Sequence, residues 1–143
     1  MRIGPGIATT GTIPRHLVVG WIDEQSLAVN VMENLKNLYR MGANVGIGSD
    51  IGNPWTQFFG RYKDELQHFA NAGIPNADIL RRATSLNAQI IDMQDEIGSI
   101  AKGKRADLIA VKGDPLVDLH ALSAVDVIVK GGTFVKADGI ALT

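Results

Sequence analysis

The chain has 143 residues, enough for one ordinary domain, with 14 basic and 15 acidic side chains and a formal charge of −1. That balance, with no basic stripe or interleaved aromatics, excludes a global field for nucleic acid or an anionic membrane. The absence of cysteine excludes disulfides and thiolate metal sites and fits a cytoplasmic location; Met1 to Gly6 do not resemble a signal peptide, and no apolar run is long enough to span a bilayer.

The first twenty residues or so carry too thin a pattern to define an element. Asp23 and Glu24 then open a predicted helix in which Ala28, Val31, Met32, Leu35, Leu38 and Tyr39 recur at helical spacing. Lys36 and Arg40 stand in its later turns, where cations suit the dipole, and Gly42 marks its end. Ala43 to Asp50 reads as a buried strand. Its run Val45-Gly46-Ile47-Gly48-Ser49-Asp50 is apolar, thinned by glycines and closed by a lone carboxylate, the pattern of a central strand delivering a side chain at the mouth of a parallel sheet. Taken alone, such an Asp reads more readily as the cap of the next turn.

After the loop Ile51-Gly52-Asn53-Pro54, Phe58, Tyr62, Leu66, Phe69 and Ala70 trace one face of a second helix, closed by Gly73. A third helix is expected from Asp78, with Ile79, Leu80, Ala83, Leu86, Asn87 and Ile90 along its face. The order helix–strand–helix has parallel-sheet character. Near Gly98 the period changes. Asp107 to Lys112, Val125 to Lys130 and Thr133 to Lys136 read as short strands, and Gly131-Gly132 between the last two predicts a hairpin, since both glycines tolerate positive φ. Lys102-Gly103-Lys104 and Gly113-Asp114-Pro115 are further turns, and Asp107 and Asp114 are expected to fix turns. The expected division is therefore 1–97 and 98–143.

In this order the segments resemble the C-terminal end of the metal-dependent amidohydrolase superfamily. The matching pieces are Arg40-Met41-Gly42, Val45 to Asp50, Glu65-Leu66 through Ala72-Gly73-Ile74, and Ile79-Leu80-Arg81-Arg82-Ala83-Thr84 with Asn87-Ala88. Gly98-Ser99-Ile100, Gly103 to Leu108, Gly113-Asp114-Pro115-Leu116 and Val129-Lys130-Gly131-Gly132 continue them, so the likeness runs from about Glu33 to Val135. The local flavour is most similar to the imidazolonepropionase and Xaa-Pro dipeptidase-like branch. One departure is Ile74-Pro75-Asn76, where family members offer a Thr-Pro helix cap.

The resemblance implies an α/β fold: the C-terminal part of a TIM-type (β/α)8 barrel, followed by part of a small β-sandwich domain. It implies a divalent metal, zinc above all, held in the complete enzyme by a His-x-His pair, a carboxylated Lys or Glu, two further His and an Asp on the eighth strand. Asp50 matches that Asp, as metal ligand and as the catalytic base that takes a proton from the attacking water and passes it to the leaving nitrogen. Asn53 and Trp55, just beyond, are candidate substrate contacts; Phe58 reads as core. The sequence contains no His-x-His, and His16, His68 and His120 read as surface or structural residues. Gly46-x-Gly48 opens no phosphate loop, and Lys102 to Arg105 reads as a solvated turn.

A full barrel takes roughly 250 residues, so the chain is expected to hold its last portion only. The expected function is metal-dependent hydrolysis of C–N bonds, of amidase, dipeptidase or deaminase type, with this chain inactive and nearly metal-free alone. The alternative is a non-catalytic module acting by association. Expected partners are a small-molecule substrate in the complete enzyme and either an N-terminal portion of the barrel or further copies of this chain.

Overall fold

The computed structural model describes residues 24–49, 62–138 and 140–141, with backbone alone for 24–30. Helix α1, Glu24–Arg40, forms where the helical spacing predicts it and turns Leu35 inward, with Met32, Leu38 and Tyr39 beside it. Its end is a Schellman motif. Gly42 takes φ 74, its N–H bonds to the Tyr39 carbonyl, and the Ala43 N–H reaches back to Leu38. Helix α2, Tyr62–Asn71, ends the same way at Gly73 (φ 82), with the Ile74 N–H on the Phe69 carbonyl and both side chains buried.

The third helical stretch starts earlier than expected. Helix α3, Asn76–Arg81, begins two residues before Asp78, because the Pro75 carbonyl accepts the Ile79 N–H and so opens the first turn. No side chain caps that end, in keeping with the missing Thr. A π-helical turn, Arg82–Leu86, follows without a break and runs into the short α4, Asn87–Ile90. Asp92, at φ 56, fills the place that glycine holds in the two earlier helix ends.

Residues 45–47 are buried as expected of an inner strand, with Val45 and Ile47 in the core, whereas Asn44 is exposed and Ala43, Gly48 and Ser49 are half-buried; the described residues show only an isolated bridge there, at Val45. The expected strand is thus right in burial at its centre and differs at its ends and in how its backbone is satisfied. Side chains do much of that work, as described below.

The remaining elements form an antiparallel meander in the order β1-β2-β3-β4: β1 Leu108–Val111, β2 Val125–Lys130, β3 Thr133–Ala137 and β4 Ile140–Ala141. Gly131 and Gly132, at φ 56 and 83, make the predicted hairpin. Asp107 fixes it by accepting from the Gly131 N–H at 2.7 Å and pairing with Lys130 at 2.6 Å. Asp114 likewise accepts from the Leu116 N–H at 2.9 Å. Between β1 and β2 a 3₁₀ turn, Leu119–Ser123, sends Leu119 into the helical core, and Asn76 holds the Leu116 carbonyl at 3.1 Å. The sheet itself contributes no buried hydrophobic residue among those described: the core comprises Leu35, Val45, Ile47, Leu66, Phe69, Ile79 and their neighbours. Ile109 (56% exposed) and Phe134 (58%) stand on strands that lack a covering layer among the described residues.

Candidate functional site at the end of the buried segment

Three polar side chains, those of Asn87, Tyr62 and Arg82, converge on residues 43–47. The Asn87 carboxamide, from the start of α4, accepts from the Ile47 N–H at 3.0 Å and donates to the Ile47 carbonyl at 2.7 Å. The Tyr62 hydroxyl donates to the same carbonyl at 3.3 Å from the first turn of α2. Arg82, 4% exposed, donates through Nη1 to the carbonyls of Val45 at 2.9 Å and Ala43 at 3.3 Å. Its guanidinium lies 5.1 Å from the centre of the Tyr39 ring, whose hydroxyl is tied to the Asp78 carboxylate. Burial lowers the guanidinium pKa and Arg81 adds to that, while Asp78 and Tyr39 oppose it. The ring face and the carbonyls offset part of the cost of burying the charge.

Glycine at 46 permits this approach. A Cβ there would collide with Asn87 Oδ1 and come within 2.9 Å of Ile90 Cδ1. A larger residue would displace the Asn87 carboxamide and so disturb both of its bonds to Ile47.

Glu65 is the second buried ionisable group, 6% exposed on α2. Burial, with the Asp64 charge adding, pushes its carboxyl up to about 7 from 4.5. The folded state therefore binds this proton more tightly than the unfolded chain. Stability from Glu65 is fully present below pH 4.5 and is lost as pH rises through about 7. The shift corresponds to roughly 3 kcal/mol. Glu65→Gln is expected to remove this slope and to be more stable than the parent at pH 8; urea midpoints of the two chains at pH 5 and pH 8 measure it.

Asp50, Asn53 and Trp55 lie outside the described residues, as do His16 and Phe58. The structure therefore brings the chain to Ser49, the residue before Asp50, with Ile47 held through both its N–H and its carbonyl. His68 is exposed in the last turn of α2 and His120 is exposed in the 3₁₀ turn. Arg82, Asn87, Tyr62 and Glu65 were not singled out as site residues by sequence alone. The available signal was polar residues, Arg82 and Asn87, interrupting the apolar face that runs from Ile79 to Ile90.

Among the described residues no group of three His, Cys, Asp or Glu could hold a metal ion. These residues therefore do not make a metal centre by themselves. No described helix is long and apolar enough to cross a membrane.

The model of the amidohydrolase family matches residues 12–135. A Xaa-Pro dipeptidase with methionine bound in its active site is 31% identical, with a TM-score of 0.71 over 79% of this chain and 27% of that one. A prolidase complexed with N-methylphosphonate-L-proline is 30% identical, with a TM-score of 0.66 over 81% of this chain and 30% of that one. The A. niger ochratoxinase, 24% identical with a TM-score of 0.69 over 85% of this chain and 29% of that one, is alike in fold. The chain spans less than a third of the length of each of these structures. No curated protein matches the sequence.

Proposed function

The chain belongs to the amidohydrolase family, and from that premise we propose that it is the C-terminal portion of a hydrolase of C–N bonds. The family match over residues 12–135 carries this reading. In it, residues 1–97 are the terminal β/α units of a TIM-type barrel and 98–143 are strands of a small composite sandwich. Two features support the division: the helices share one core around Phe69 and Ile79, while β1 to β4 leave Ile109 and Phe134 uncovered.

Asp50 is the proton-transfer group. It follows the buried segment that Asn87 and Arg82 hold, where a carboxylate ending an inner strand of a barrel meets the substrate mouth. It takes the proton from the attacking water and delivers it to the nitrogen as the C–N bond breaks. Asn53 and Trp55, close behind in the loop, contact the substrate. The substrate class is a dipeptide of the Xaa-Pro kind, a reading supported by 31% and 30% identity to a Xaa-Pro dipeptidase and a prolidase.

A divalent metal, zinc in this family, would polarise the water when bound, with Asp50 as one ligand. Its remaining ligands come from chain outside these 143 residues, since His-x-His does not occur within them. Alone, the chain is inactive. The test is hydrolysis of an Xaa-Pro dipeptide by the chain paired with an N-terminal family portion that carries His-x-His, against each part alone. Turnover by the pair alone supports the reading. A pair that associates and does not hydrolyse favours the non-catalytic module.

A further inference from the structure

The pairing register sorts the side chains of the sheet onto two unlike faces, because residues directly opposite in an antiparallel ladder project to the same side and neighbours along a strand alternate. On one face Leu108 stands opposite Val129, which stands opposite Phe134. Ala110 opposite Val127 and Ala137 opposite Ile140 share that face. The other face carries the row Ile109, Ile128, Lys136 and Ala141, and with it Lys130, whose ammonium pairs with Asp107 at 2.6 Å. Every charged side chain among these falls on the second face. The first is apolar at each paired position. It is also open: Leu108 is 37%, Phe134 58% and Ile140 68% exposed.

We propose that this apolar face is a dimer interface whose occupant is the same face of a second copy of the chain, the two sheets closing into a sandwich about a two-fold axis. Three observations select a copy. The face carries no charge, so two copies meet there with no like charges opposed; on the other face the same meeting would bring together Lys130 and Lys136 of both copies. A sandwich needs two layers of similar extent, and a copy supplies the second strand for strand. The formal charge of −1 leaves little repulsion between whole chains. Size sets the strength. Strands about 4.8 Å apart, rising about 3.3 Å per residue, give the face a footprint of roughly 300 Å². That is small for a protein contact, so the dimer is weak and reversible. A copy can occupy the face whether or not the chain is part of a hydrolase; N-terminal strands of a longer barrel protein compete for it.

Sedimentation equilibrium of the 143-residue chain between about 10 and 500 µM is expected to show monomer and dimer in exchange, a range suited to so small a contact. Phe134→Lys and Ile140→Lys, each at an exposed position, should weaken dimerisation about tenfold or more. Ile109→Lys, 56% exposed on the other face, should shift it less than about twofold. Far-UV circular dichroism checks that each variant keeps the fold. A second measurement needs no variant: methyl NMR of the unchanged chain should show concentration-dependent shifts at Leu108, Val127, Val129 and Ile140, with Ile109 and Ile128 unmoved. A monomer at every concentration would overturn the proposal, whether an added N-terminal portion then covers the face or residues of the chain itself do. So would a dimer that Phe134→Lys and Ile140→Lys leave intact, or one whose methyl shifts fall on Ile109 and Ile128.

Discussion

Asp50→Asn in the paired enzyme is expected to cut turnover of an Xaa-Pro dipeptide by about 10²–10⁴-fold, the range a positioned acid–base group contributes. The amide keeps the size of the carboxylate and cannot take the proton from water. The loss should fall on kcat and on kcat/KM equally, because the interaction removed belongs to the transition state. Binding of a substrate-like inhibitor should change little. Steady-state kinetics and inhibitor titration on the same preparation measure both. Turnover near the parent level would reduce Asp50 to a turn residue.

The second large effect is on stability. Phe69 is 0% exposed, at the end of α2, and its carbonyl holds the Ile74 N–H that closes the helix. Phe69→Ala removes a ring from the middle of the shared core and should cost about 3–5 kcal/mol, much of what a domain of this size has to spare. Phe134 offers the contrast. It is 58% exposed on β3, so Phe134→Ala should change the unfolding of the isolated chain by less than about 0.5 kcal/mol. The same change should weaken self-association or pairing, because Phe134 lies on the face that lacks a covering layer among the described residues. Urea unfolding for both variants, with light scattering at micromolar concentration, separates the two roles. A large loss from Phe134→Ala in a monomeric chain would mean that the sheet is already covered.

Much of this fold was legible. The spacing of Met32, Leu35, Leu38 and Tyr39 is a one-turn repeat, and Gly42 and Gly73 stop their helices by taking a conformation few other residues accept. Gly131-Gly132 was legible for the same reason. The hold on residues 43–47 was not. A period of 3.6 read through Ile79, Ala83, Leu86 and Ile90 places Asn87 as one more residue of a helix face and cannot reveal a π turn, which depends on what lies opposite. The start at Asn76 rather than Asp78 was missed because the Pro75 carbonyl, and not a side chain, opens the helix. The 3₁₀ turn at Leu119–Ser123 was missed as well, its signal being only Asp118, which accepts from the His120 N–H at 2.9 Å. Glu65 follows the same logic: its sequence neighbours are those of a surface helix, and its raised pKa comes from tertiary burial.

The measurement that bears most directly on the proposal that this chain is a barrel portion is divalent metal content by elemental analysis, on the chain alone and after pairing with a His-x-His-bearing N-terminal portion. One carboxylate is not a site, since stable sites use three or more protein ligands. The chain alone should therefore carry far less than stoichiometric metal. The pair should bind at least one zinc-like ion per complex and lose affinity for it in Asp50→Ala. Stoichiometric metal on the chain alone, abolished by Asp50→Ala, would contradict the account.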